Sequence, residues 1–273
     1  MDDLNPHVNQ MADESMVRNL AAQAEAIWPQ EVELLRRYGL AGRLRMLDAG
    51  CGTGEITSRL AALYPDATVL GVDVLDAHLE LARGRYASFG ARLAFENRSI
   101  FGLGLPDGTF DLTVCRHVTH SVPHADRVYA ELARVTSPGG RLHLIPEDYG
   151  MLHFERAALD VRDFWHEVPA RFGEATGTNL FVGRDTYRIL AALGLRDIAV
   201  DYVVVAPLRV PRDVFAGILE AWRDGYVQPI AETSRFTREQ ATAYFDQMIA
   251  NVRDPHGYAV WMVPVVSARV PER

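Results

Sequence analysis

The stretch Arg45-Met46-Leu47-Asp48-Ala49-Gly50-Cys51-Gly52-Thr53-Gly54-Glu55 restricts this chain more than any other. An apolar run rises to an acidic residue and breaks into three glycines at alternate positions. Ile56, Leu60 and Leu63 then take up the spacing of one helical face. That order describes a buried strand, a tight loop and a helix N-terminus. The glycines let the backbone take positive φ and let a ligand lie directly against it. The helix start turns unpaired N–H groups toward whatever is bound.

Two ligand classes use such a loop. The dinucleotide fingerprint is G-x-G-x-x-G, with a pyrophosphate on the helix end. Here the spacing is G-x-G-x-G, and Asp48 stands just before it. A second apolar run, Thr68-Val69-Leu70-Gly71-Val72, ends in Asp73, 25 residues after Asp48. A carboxylate at the tip of a second strand suits a ribose diol, which offers two hydroxyl donors. The expected ligand is therefore a nucleoside rather than a dinucleotide.

With these residues the chain resembles the class I S-adenosylmethionine-dependent methyltransferases of the small-molecule type. Leu47-Asp48-Ala49-Gly50-Cys51-Gly52-Thr53-Gly54 is similar to that family's first motif, and Gly71-Val72-Asp73 to its second. Leu105-Pro106-Asp107-Gly108-Thr109-Phe110-Asp111 and Ser137-Pro138-Gly139-Gly140-Arg141-Leu142 resemble the segments before the fourth and fifth strands. The likeness covers residues 43–146. It implies S-adenosylmethionine as cofactor and S-adenosylhomocysteine as product.

The rest of the chain is consistent with one core carrying added caps. Its 273 residues, 48 % apolar, suffice for a substantial core, and no apolar run is long enough to span a membrane. A net charge of −8 disfavours nucleic acid, because phosphate binding needs clustered Lys and Arg. Two cysteines make no disulfide framework, and the acidic start lacks the layout of a secretion signal. The expected setting is the cytoplasm, without membrane partners, as a monomer or homodimer.

Strands are expected at 44–48, 68–73, 91–96, 110–115 and 141–146, with helices at 54–64, 76–89 and 123–136. Short apolar strands alternating with helices predict a parallel sheet covered on both faces. The fold class is thus α/β: a Rossmann-like, seven-stranded, mostly parallel sheet whose last strand is antiparallel. Residues 1–42 form N-terminal cap helices, with 1–12 a disordered or lid-like arm, a helix from Asp13 to Tyr38, and a break or kink at Trp28-Pro29. That helix either covers the cofactor or packs on the sheet. Residues 43–146 are the cofactor-binding core. Residues 147–182 carry no clear strand and read as a cap insertion. Residues 183–273 complete the core, with a helix at 185–193, strands at 197–205 and 259–266, and a helical insertion at 207–257.

Ligands in such sheets bind beyond the carboxyl ends of the strands. The resemblance assigns the cofactor to Asp48, Gly50, Cys51, Gly52 and Gly54 on the loop, and to Asp73 and Val74 at the ribose. It places Ser99 and Ile100 at the adenine, where the family usually has an acidic residue, and adds Arg116. Strand four ends in Cys115-Arg116-His117-Val118-Thr119-His120. His117 and His120 are the candidate general bases, since a neutral imidazole can take the proton an acceptor loses. Packing against the cofactor and capping the next helix are the alternatives. His117 is expected toward the methionine end and His120 toward the acceptor. Tyr149, His153 and Trp165 are the substrate-facing candidates, with Arg156, Arg162 and Arg171 available to an anionic group. The helical spacing of those rings fits ordinary core packing better than a cage around an acceptor. No strong metal spacing occurs, so no metal is expected.

The function expected is methyl transfer to a small-molecule acceptor at N, O or activated C, secondary metabolites among the candidates. Three rivals share the fold: an NAD(P)-dependent oxidoreductase, a cofactor-binding protein without transfer, and an RNA or protein methyltransferase.

Overall fold

The computed structural model describes residues 5–155 and 157–272. Met1–Leu4 of the expected arm and Arg156 lie outside the described residues. The chain begins with α1 (Val8–Met11) and α2 (Glu14–Arg36), then enters the core with β1 (Arg45–Ala49) and α3 (Glu55–Leu63). The alternation continues through β2 (Thr68–Asp73), α4 (Asp76–Arg85), β3 (Leu93–Asn97), β4 (Phe110–Arg116), α5 (Ala125–Val135) and β5 (Thr136–Ile145). After β5 come β6 (Leu152–Phe154), α6 (Val161–Thr176), α7 (Gly183–Ala192) and β7 (Arg196–Val205). The last elements are α8 (Arg212–Thr233), α9 (Arg238–Arg253) and β8 (Ala259–Arg269).

The strands form one sheet in the order β3-β2-β1-β4-β5-β8. The pairs up to β5 are parallel, and β8 runs antiparallel to its neighbours. The chain leaves β1 in one direction toward β2 and β3, and returns on the other side at β4. The carboxyl ends of β1 and β4 therefore flank the switch point where α/β sheets bind ligands.

Three expectations change. The sheet has eight strands among the described residues, because Leu152–Phe154 forms a strand where none was expected. β8 is longer than expected, and the edge it extends beyond β5 is capped by β6, Leu152 facing Trp261. Second, Pro29 does not break the N-terminal helix, which runs unbroken from Glu14 to Arg36. Its packing on β7 and α8 outweighs the roughly 3 kcal/mol that an interior proline costs. Third, the helix expected at 76–89 stops at Arg85 and gives way to a tight turn in which Gly90 has φ +58°.

The two insertions meet. Phe164 and Trp165 of α6 pack with Phe215 and Trp222 of α8, Phe245 of α9 and Trp261 of β8 in one buried cluster. Phe164 is wholly buried there, so it belongs to the core. The cap formed in this way overhangs the carboxyl end of β5. Among the described residues no helix is long and apolar enough to cross a membrane.

Candidate active site

The loop after β1 is held by backbone bonds that only its glycines permit. Gly50, Gly52 and Gly54 have φ of +76°, +50° and +80°. The N–H groups of Gly50 and Cys51 donate to the Val72 carbonyl at 2.8 and 3.0 Å. Asp73, at the tip of β2, accepts from the Gly52 N–H at 2.8 Å through one oxygen and from the Leu75 N–H at 3.0 Å through the other. The residue expected to meet a ribose thus also clamps the loop. Asp48 lies beneath, buried, accepting from the Thr57 hydroxyl at 2.7 Å. Burial pushes its carboxyl up to about 6.

A cavity of about 380 Å3 opens above these groups. Gly50, Gly52, Asp73, Val74, Ser99, Ile100, Arg116 and His117 all line it. Asp48 and Cys51 line a smaller recess of about 30 Å3 beside it, which Gly50, Arg116 and His117 also reach. Gly54 belongs to neither. It starts α3, and a Cβ there would sit 3.0 Å from Ala82 and Phe95, so its smallness serves helix packing. The Ser99 hydroxyl accepts from the Phe101 N–H at 3.3 Å, within its own turn. Sequence reasoning missed Asn5, Val8, Met11 and Leu20, which wall the cavity from the N-terminal segment. No local motif marks them.

Arg116 ends β4 and is almost buried. It pairs with Glu31 of α2 at 3.0 Å, and Glu31 also accepts from His143, whose other nitrogen meets the Tyr38 hydroxyl at 2.7 Å. Burial alone would raise the Glu31 carboxyl, but Arg116 and His143 override it and hold it below the usual range. His143 is accordingly a hydrogen-bonded core residue, as its place within a strand implied.

His117 takes a left-handed backbone, φ +54°, rare for a residue with a side chain. Its N–H donates to the Ile145 carbonyl at 2.9 Å, and its Nδ1 meets the Glu147 carboxyl. Burial, with Arg116 next to it, pushes the imidazole down to about 3, while burial and Asp148 push Glu147 up to about 8. Both shifts favour the uncharged forms of the two groups. The His117 Nε2 has no hydrogen-bond partner among the described residues.

His120 lies three residues further and faces a different space. It lines a cavity of about 50 Å3 with His7, Tyr149, Trp165, Phe172 and Trp222. Tyr149 stacks on Trp165 with ring centroids 5.7 Å apart, and His120 sets its edge against Tyr149. Tyr149 and Trp165 thus stand where substrate-facing residues were expected. His153 does not. In β6 successive side chains alternate faces, so Leu152 turns inward and His153 is exposed, opening onto a separate surface hollow with Arg162 and Arg184. His7 was not anticipated, because nothing local ties residue 7 to this cavity.

Residues 46–140 match the methyltransferase domain family. The chain is 37 % identical over 110 residues to trans-aconitate 2-methyltransferase of Methylobacterium nodulans, covering 40 % of this chain and 41 % of that one. With the enzyme of that name from Deinococcus radiodurans it shares 32 % over 170 residues, 60 % of this chain and 64 % of that one. Residues 46–140 thus form a methyltransferase domain. Among solved structures, Haemonchus contortus phosphoethanolamine N-methyltransferase 2 in complex with S-adenosyl-L-methionine superposes with a TM-score of 0.63. That likeness, at 18 % identity, spans 100 % of this chain and 61 % of that one, and concerns the fold. The matched part covers 36 % and 41 % of the length of the first curated relatives. The family match ends at residue 140, so the aromatic cluster of α6, α8 and α9 lies outside the matched segment.

Proposed function

We propose that this methyltransferase uses S-adenosylmethionine to methylate a small-molecule acceptor at N, O or an activated C. The observation that carries the reading is that one short loop after β4 contributes walls to both spaces. His117, Val118, Ser121 and Val122 line the larger cavity, and His120, between them in the chain, lines the aromatic one. The residues present fit the cofactor. Asp73 offers a carboxylate to the ribose, Val74 and Ile100 offer apolar walls near Ser99 for the adenine, and Asp48 and Arg116 reach the recess for the methionine end.

The cofactor supplies an electrophilic methyl on a sulfonium, displaced in line by the acceptor's lone pair with the C–S electrons passing to sulfur. The protein contributes position and a proton route. His120, kept neutral by burial and by the nearness of His7 and His117, accepts the proton of an O–H or N–H acceptor. His117 is the second candidate base on the cofactor side, its ring fixed by Glu147. The trans-aconitate in the relatives' names does not transfer to this chain. It is a tricarboxylate, and among the described residues no arginine or lysine lines the aromatic cavity. The acidic chain and the enclosed cavity favour a metabolite over RNA or protein.

Calorimetric titration with S-adenosylhomocysteine, and separately with NADH, tests the reading. Binding of the thioether alone is expected. Binding of NADH alone would overturn the assignment and every site role above.

A further inference from the structure

We infer that the acceptor is a largely apolar molecule without an anionic group, whose one reacting hydroxyl or N–H is seated between His7 and His120. This rests on the methyl-transfer reading above. The cavity wall is made of rings: Tyr149, Trp165, Phe172, Trp222 and Phe245. No charged side chain lines it among the described residues. Three arginines of the surrounding cap are already engaged in ion pairs. Arg162 pairs with Asp160, Arg171 with Glu174 at 2.8 Å, and Arg184 with Asp148 at 2.6 Å. Arg162 and Arg171 keep side chains 73 % and 53 % exposed. A carboxylate or phosphate entering the cavity would lose its hydration and gain no counter-charge.

What the cavity does offer is two neutral imidazoles. His7 and His120 are 1 % and 7 % exposed, and the Nδ1 of each lacks a hydrogen-bond partner among the described residues. Leaving two buried polar atoms unsatisfied is costly, and a ligand removes that cost. One hydroxyl can donate to one imidazole while accepting from the other, which suits a lone polar group on an apolar frame. The cavity's small volume takes the reacting end of such a molecule. His7 stands beside the four-residue α1, a wall with fewer contacts than the ring wall opposite, so it is the side that yields to a larger acceptor.

The experiment uses the whole chain saturated with S-adenosylhomocysteine and two probes of one shape, p-cresol and 4-hydroxybenzoate, followed by calorimetry. p-Cresol is expected to bind at least about tenfold more tightly than the benzoate. His7→Phe and His120→Phe, which keep the volume and remove the nitrogen, are each expected to weaken p-cresol by about five- to tenfold. Toluene binding should be the same in all three proteins. Equal or tighter binding of the benzoate overturns the inference, as does absence of saturable p-cresol binding, or p-cresol affinity unmoved in both variants. Failure of the protein to bind S-adenosylhomocysteine in the first titration sinks the methyl-transfer reading instead, so the two failures are distinct.

Discussion

The Nδ1 of His117, at the end of β4, meets the carboxyl of Glu147, two residues past β5, with side chains 9 % and 1 % exposed. Two adjacent parallel strands thus deliver an imidazole and the group that orients it to the same edge of the cofactor cavity. Glu147→Ala leaves that imidazole nitrogen without a partner. It is expected to destabilise the fold by about 1–3 kcal/mol in urea unfolding. Turnover should fall by on the order of tenfold or more, if His117 takes part in proton transfer, with S-adenosylhomocysteine affinity little changed. Replacing His120 by Ala should also lower turnover with near-normal cofactor affinity. Loss of affinity with intact turnover at saturation would place His120 in the cofactor cavity.

Asp73→Ala is expected to weaken S-adenosylhomocysteine binding by about 1.5–3 kcal/mol, read by calorimetry. Because Asp73 also accepts from the Gly52 and Leu75 N–H groups, the loop should loosen as well. Asp73→Asn keeps one acceptor oxygen and should fall between the two. Unchanged affinity in Asp73→Ala would remove the residue from the ribose site.

The glycines of the loop differ in what surrounds them. A Cβ on Gly50 would lie 2.3 Å from Val118 Cγ2, whereas one on Gly52 would lie 2.8 Å from the end of the flexible Leu20 side chain. Both positions have positive φ, which costs a side-chain residue about 1–2 kcal/mol. Gly50→Ala adds a clash with a β-branched neighbour that has little room to rotate, worth about a further 1–3 kcal/mol. Urea midpoints should therefore fall further for Gly50→Ala than for Gly52→Ala.

Burial lowers the His7 imidazole to about 4, against an ordinary value near 6.5. Between these values the unfolded chain binds a proton that the folded chain refuses. Stability is therefore complete above pH 6.5 and declines as pH falls toward 4. From pH 7 to pH 5 the His7 share of that loss is about 2 kcal/mol. His7→Phe should flatten the acid side of a plot of unfolding free energy against pH by about that amount, and an unchanged slope would show the ring to be exposed in solution.

Much of the cofactor side was legible because its determinants are neighbours in the chain. Three glycines at alternate positions after an acidic strand end, and Asp73 at the next strand tip, act through bonds spanning at most one strand–helix–strand unit. The parallel sheet followed from the alternation of strands and helices. β6 was not legible: three residues carry too short a pattern, and only the long edge of β8 gives them a partner. Pro29 misled because local propensity argued for a break, while the packing of α2 on α8 and β7 decided otherwise.

By itself, then, the sequence determined the fold class, the loop that faces the cofactor and the strand ends where chemistry must sit, since each depends on local backbone preference or on periodicity. The tertiary structure alone decided the aromatic cavity. It brought His7 beside His120, stacked Tyr149 on Trp165, paired His117 with Glu147 and turned His153 outward. Those contacts join segments far apart in the chain, and what unites them is the burial of α6, α8 and α9 against the sheet, which no short window of residues encodes.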